Sequence, residues 1–369
     1  MIKTLKKHLT NLPGWRTNRK IIVFESDDWG MIRTSSKKAL EYLSKKYPLN
    51  NCGYSRFDAL ERQSDLQGLL DVLASNSNSA EEDGQPKFTL NFVTNNPDFD
   101  KIEKSKFKEY HRESSFITYK EYENSLSVPY LMNEGIKNGL VLPQFHATEH
   151  ININTWMKEL QNNNKATREA FVIKIANLHK QTQSNCHKEH LDAFGYREEE
   201  RFEKLEETVN AGLKEFESIF KFKSKTMIAP CYLWDKRLEK AAITMGIKAF
   251  QGGTVQKIPT HDGFRKKRHF MGQKGSDNQR YFIRNCQFER VGNPNKDWVS
   301  SCLKDIEIAF KFNKPAIISS HRVNYIGRLN EANRTQGLRQ LDQLLKEINK
   351  KWPDVQYLST PELLNKFYE

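Results

Sequence analysis

Ile21-Ile22-Val23-Phe24-Glu25-Ser26-Asp27-Asp28-Trp29-Gly30 joins an apolar, β-branched run to an acidic doublet, and residues 35–43 then take up helical spacing. The stretch reads as a strand over 21–24, an acidic loop over 25–30, and a helix. The unit recurs along the chain. Further strands are predicted at 88–93, 140–145, 225–229, 247–251, 281–288, 315–319 and 355–358. Helical spacing appears at 57–73, 128–138, 154–160, 165–181, 198–220, 236–245, 297–312 and 337–348. Residues 75–85 read as a polar connection, and 252–274 as a Gly-rich, basic loop without assignable structure. Strands alternating with helices of this length imply a parallel sheet with crossover helices.

The chain has 369 residues, 59 Lys or Arg against 46 Asp or Glu, and a formal charge of +13. Its 22 Phe, 13 Tyr and 6 Trp exclude disorder throughout. No apolar run approaches the roughly 18 residues that a membrane span requires. The length exceeds the roughly 250–300 residues at which single cores stop growing, so the chain is either one large domain with insertions or two domains. Lys3, Lys6, Lys7, Arg16, Arg19 and Lys20 are followed by no apolar h-region or small-residue cleavage site, so no signal peptide is read. Five cysteines (52, 186, 231, 286, 302) lack CxxC spacing, and an odd number suits reduced thiols in a cytoplasm. The basic balance admits nucleic acid, an acidic glycan or a solvated Lys-rich surface.

Polar residues cluster where strands end. Asp27 and Asp28, His146 and His150, Tyr232, and His321 each follow a predicted strand, where α/β folds build their sites. Adjacent carboxylates repel unless a cation or shared proton offsets them, so the doublet reads as a metal site or, alternatively, as a helix N-cap. His146 and His150, four apart, reach one side of a helical turn or tight loop as metal ligands would, or are unrelated surface histidines. Two imidazoles with Asp28 make a three-ligand set for a catalytic divalent ion, expected to be Zn²⁺. Asp27 is then free to act as base and His321 as acid, unless that histidine is structural.

The order of acidic doublet, HxxxH, Pro-x-Tyr, Asp-Trp and strand-Ser-His resembles the polysaccharide deacetylase family, metal-dependent carbohydrate esterases with a nodulation-deacetylase homology domain. The resemblance covers nearly the whole chain. It implies a distorted (β/α)7 barrel with Asp27 as base and Asp28, His146 and His150 as ligands. It also implies that the backbone N–H of Tyr232, in Ala229-Pro230-Cys231-Tyr232, holds the oxyanion, and that His321 is the acid. Asp297-Trp298 resembles the fourth motif of the family, or is an N-cap followed by a core aromatic. Ala229 stands where the family has an arginine that orients the base, and Ala147 where it has Ser or Thr. Arg322, beside His321, is the candidate replacement for that guanidinium, or contacts surface or glycan.

The expected architecture is one catalytic domain over 1–369 with insertions near 95–127, 164–197 and 252–290. The expected substrate is an acetylated sugar or glycan, attacked at an N-acetyl or, second, an O-acetyl group. Trp29, Trp234 and Trp298 are candidate sugar platforms or core aromatics. Three other readings stay open: a glycan-binding relative that has lost catalysis, suggested by Ala229; a basic nucleic-acid-binding protein; and an amidase acting on a non-sugar substrate. His179, Cys186, His187 and His190 read as surface residues rather than a second metal cluster. The run 265–269 between Phe264 and Phe270 reads as a solvated loop.

Overall fold

The computed structural model describes residues 2–47, 49, 52–77, 83–123, 126–176, 190–196 and 200–368. His179, Cys186 and His187 lie outside the described residues, as does the end of the helix expected over 165–181. Its described part is helical only to Val172.

Among the described residues, eight strands form one parallel array. In chain order they are β1 (Ile21–Trp29), β2 (Phe88–Val93), β3 (Val141–Ala147), β4 (Thr226–Ile228), β5 (Ala249–Gly252), β6 (Arg280–Ile283), β7 (Cys286–Gln287) and β8 (Ala316–His321). Their spatial order is β6-β5-β4-β3-β2-β1-β8-β7, every pairing parallel. β6 and β7 therefore sit at opposite ends of the array, yet only residues 284 and 285 separate them. Arg284 N donates to Gly252 O at 2.8 Å on one edge. Asn285 Oδ1 accepts from Ile317 N at 2.8 Å on the other. The chain itself thus carries the array from edge to edge, and β6 with β7 acts as one interrupted strand. This closes a distorted barrel with seven strand positions, the architecture expected.

Along β1 the side chains alternate in and out, as a strand requires. Ile22 and Phe24 join the outer core beneath the crossover helices. Ile21 and Val23 instead pack with Ala249, Phe282, Ile317 and Leu364. Glu25 and Asp27 share the face of Ile21 and Val23, so the barrel interior is apolar at its base and charged toward its mouth.

Two expectations require correction. The acidic segment is strand, not loop, because Glu25, Ser26 and Asp27 pair in register with Ser319, Ser320 and His321. Glu25 and Asp27 can sit in a strand because Arg284 compensates their charges inside the barrel. Residues 252–274 also hold structure: Val255–Thr260 and Gly263–Arg268 form an antiparallel hairpin, closed by a two-residue loop before Gly263, whose φ is +149°. Among the described residues, no helix is long and apolar enough to cross a membrane.

Candidate active site

Consecutive residues on a regular strand face opposite ways, so Asp27 and Asp28 share a cavity only if the strand is broken. It is broken there. Pairing with β2 shifts between Ser26 and Trp29, and Asp28 takes a left-handed backbone with φ +75°, a bulge that re-aims the second carboxylate. Gly30 follows at φ +79°, where an added Cβ would lie 2.6 Å from Val93 O.

Asp28 meets both histidines. Its Oδ1 lies 3.3 Å from His146 Nε2 and 3.4 Å from His150 Nε2. His146 is the penultimate residue of β3, and His150 follows in a tight loop. His146 Nδ1 donates to Ile228 O at 2.8 Å, which orients the ring with Nε2 toward Asp28. Burial pushes the pKa of His150 down to about 4, so its imidazole is neutral at pH 7. Burial alone would raise the Asp28 carboxyl, but hydrogen bonding to His146 and the surrounding imidazoles hold it well below its ordinary value. Donor atoms bound at about 2.0–2.1 Å to a tetrahedral Zn²⁺ lie about 3.3–3.4 Å apart, which is the distance of Asp28 Oδ1 from each imidazole Nε2. The three residues fit a divalent ion in chemistry and separation alike, and the donor atoms all lie within 4.8 Å of one another.

Asp27 is clamped. Arg284 Nη1 and Nη2 donate to its two oxygens, each at 2.6 Å, in a bidentate fork. Asn91 Nδ2 donates to Oδ1 at 2.7 Å. The remaining guanidinium nitrogen, Arg284 Nε, donates to Glu25 Oε2 at 2.6 Å. One guanidinium therefore spans the two carboxylates that face inward from β1. Burial alone would raise the Asp27 carboxyl, but Arg284 outweighs it and the pKa is lowered. Glu25, fully buried, is pushed up by burial against the same arginine.

His321, at the end of β8, lies opposite. Its Nε2 is 3.7 Å from Asp27 Oδ2, and its Nδ1 is held by Glu289 Oε2 at 2.6 Å. Tyr54 OH is 3.3 Å from the same nitrogen. Burial would lower the imidazolium, but Glu289, then Asp27, raise its pKa to about 10. Asn324 Nδ2 donates to the other oxygen of Glu289 at 2.7 Å.

Asp27, Asp28, His146, His150, Tyr232 and His321 thus line one cavity of about 340 Å³, with Arg33, Tyr54, Leu191 and Ile228. A larger cavity of about 800 Å³, lined by Tyr110, Arg112 and Glu149, holds none of them. Glu149 pairs there with Arg112 Nε at 2.7 Å rather than with the imidazoles.

Several sequence-predicted residues sit elsewhere or act differently. Arg322 does not reach Asp27. It is fully buried, its Nη1 donating to Glu61 Oε2 at 2.6 Å and its Nε to Asp58 Oδ1 at 3.2 Å. The guanidinium on Asp27 is that of Arg284, which the sequence analysis did not single out. Its signal was a lone cation within the apolar run Tyr281-Phe282-Ile283-Arg284, since a charge buried in a strand needs a partner. Asp297 is the N-cap of the helix Trp298–Lys311, accepting from Ser300 N at 2.9 Å. The carboxylate on His321 is Glu289, unremarked in the sequence although it directly follows the strand-end residues Gln287 and Phe288.

Tyr232 borders the cavity, but its N–H donates to Ala229 O at 3.0 Å. Two successive left-handed residues, Cys231 at φ +56° and Tyr232 at φ +55°, fold the segment into a tight turn that uses this N–H internally. The three tryptophans are core: Trp29 donates to Ser26 Oγ at 3.0 Å, Trp234 to Glu239 Oε1 at 2.8 Å, and Trp298 to Asn293 O at 2.8 Å. All three are buried, so none offers a face to a sugar. His190 is buried rather than exposed and lies 3.0 Å from Glu159 Oε2.

No protein-family model and no curated protein matches the sequence. Among solved structures, the chain is similar to a putative polysaccharide deacetylase from Mycobacterium smegmatis, at 9% identity and a TM-score of 0.43, covering 96% of this chain and 92% of that one. Several of the similar structures are polysaccharide deacetylases or their relatives. One is a pseudoenzyme of carbohydrate esterase family 4 from Bacillus anthracis, at 8% identity and a TM-score of 0.40, covering 94% and 66%. Another is a 4-alpha-glucanotransferase from Thermococcus litoralis, at 9% identity and a TM-score of 0.48; 94% of this chain aligns with 40% of that chain's length. Likenesses this distant leave the function to be read from the side chains themselves.

Proposed function

We propose that this chain is a metal-dependent hydrolase that removes an acetyl group, N-linked before O-linked, from a sugar. The reading is supported above all by one arrangement: the Asp28-His146-His150 donor set shares one cavity with a clamped carboxylate and a carboxylate-held imidazole. Asp28, His146 and His150 would hold the ion. When bound, a divalent ion such as Zn²⁺ supplies Lewis acidity toward the acetyl oxygen and a water acidified toward neutrality.

The remaining work falls to the chain's own groups. A carboxylate offers about four acceptor positions, and three donors from Arg284 and Asn91 engage Asp27. The position left belongs to Oδ2, the oxygen nearer His321, and there Asp27 takes the proton of the attacking water. His321, kept protonated by Glu289, gives its Nε2 proton to the departing nitrogen. A C–O bond forms and the C–N bond breaks, so acetate and a free amine leave. The Tyr232 N–H serves its own turn and does not reach the acetyl oxygen. Tyr54, Tyr232 and Leu191 offer the apolar surface of the cavity.

A glycan-binding protein without catalysis was suggested by Ala229, and Arg284 on Asp27 supports the catalytic reading instead. The test is acetate release from a panel of acetylated mono- and oligosaccharides. Activity should vanish with chelator and return with Zn²⁺. Acetylated sugars that bind with no acetate released would support the non-catalytic reading.

A further inference from the structure

The N-terminal helix turns leucines to solvent. This helix, α1 (Ile2–Asn11), lies against the helix Trp298–Lys311. Among its described side chains, Lys7 forms an ion pair with Asp305, His8 packs edge-on against the Phe312 ring with centroids 5.5 Å apart, and Asn11, buried, accepts from Asn285 Nδ2 at 2.8 Å. Leu5, Leu9 and Leu12, spaced four and three residues apart on one stripe, are instead 60%, 56% and 47% exposed. A surface helix of a water-soluble domain has the opposite arrangement, with its apolar stripe toward the core.

The stripe continues beyond the helix. Trp15 N donates to Met271 O at 2.8 Å, which brings exposed Phe270 next to Gly14. Arg16 and Arg19 are exposed on this approach. Phe270 closely follows the strand Gly263–Arg268, which presents Phe264, Arg265, Lys266 and Arg268 to solvent.

We propose that this face docks onto an anionic lipid bilayer. Leu5, Leu9, Leu12 and Phe270 enter the boundary between headgroups and acyl chains, while the flanking arginines and lysines meet lipid phosphates. The charge selects this occupant over a second copy of the chain. Self-association would set Arg16 and Arg19 near their own images, and three leucines per chain offer far less than the roughly 1,200 Å² that a stable interface buries. An acidic polymer would satisfy the cations but leave the leucines in water.

The test is co-sedimentation of the full chain, supplied with Zn²⁺, with vesicles of phosphatidylglycerol and phosphatidylcholine or of phosphatidylcholine alone. Partitioning onto the anionic vesicles should be at least about tenfold stronger and should weaken as salt rises. Leu5→Ser with Leu9→Ser should reduce it about tenfold or more, with unchanged circular dichroism. Should that pair disturb folding, Leu12→Ser alone, outside the helix, should still weaken binding several-fold. Equal binding to both vesicle types, or binding indifferent to the serine variants, overturns the proposal. So does a dimer in light scattering that the serine variants dissociate while vesicle binding is unaltered. None of these outcomes depends on catalysis, so the hydrolase reading stands or falls separately.

Discussion

Replacing Arg284 with glutamine removes three charge-assisted hydrogen bonds at once, two to Asp27 and one to Glu25, each at 2.6 Å. Removing one partner from a buried ion pair costs about 3–5 kcal/mol, because the remaining charge is left uncompensated. Here two carboxylates are left, and the folded protein relieves the strain by taking up protons. The sign follows. In the wild type the Asp27 pKa is lowered, first against burial and then by Arg284, so its contribution is present above the unfolded value of about 3.9 and is lost as pH falls through the folded one. In Arg284→Gln the Asp27 carboxyl rises above its unfolded value and Glu25, already raised in the wild type, rises further, so stability should fall more steeply as pH rises. Urea unfolding should show a deficit of about 3–5 kcal/mol at pH 8 and a smaller one at pH 5. The acid limb of kcat/KM should move to higher pH, and kcat should drop about 10²-fold from misplacement of the base. Arg284→Lys, which keeps the charge but not the fork, should recover part of the stability and little of the rate. Wild-type midpoints at both pH values, together with an unmoved acid limb, would refute this reasoning.

Other outcomes follow from the same geometry. In Glu289→Gln the His321 pKa should fall from about 10 toward its ordinary value, moving the alkaline limb of kcat to lower pH. Since a raised histidine pKa stabilises fully below the unfolded value and is lost as pH rises through the folded one, the variant should lose stability at neutral pH but little above pH 10. Arg322→Met should cost about 3–5 kcal/mol in chemical denaturation by stranding Asp58 and Glu61, while the folded fraction keeps its metal; a variant as stable as the wild type would remove Arg322 from the buried network. Trp298→Phe, which loses the hydrogen bond to Asn293 O, should lower stability by about 1 kcal/mol and leave KM unchanged. A raised KM would return that tryptophan to the sugar site.

The parts legible in the sequence are those where local pattern and tertiary role coincide. Apolar, β-branched runs such as Ile21-Ile22-Val23-Phe24 and Ile317-Ile318 mark strands because both their faces are covered, and the polar residues after them mark the mouth. The hairpin over 255–268 announced itself only through Asp262-Gly263, a turn signal submerged in a basic run. Arg284 and Glu289 escaped because their meaning depends on partners, Asp27 and His321, that lie 257 and 32 residues away. No window of sequence contains such a pair. Arg322 was misread for the complementary reason: adjacency to His321 along a strand end sends its side chain to the other face, where Asp58 and Glu61 wait. The tryptophans look like sugar platforms in any list of residues, and only burial shows that they are core.

The central claim is that Asp28, His146 and His150 hold one divalent ion while Asp27 does not. Metal content of purified wild type, Asp27→Asn and Asp28→Asn, each incubated with Zn²⁺ and desalted, tests it directly. The account predicts one ion per chain in the wild type and in Asp27→Asn, and almost none in Asp28→Asn. Zinc retained equally by all three, or by none, would contradict it.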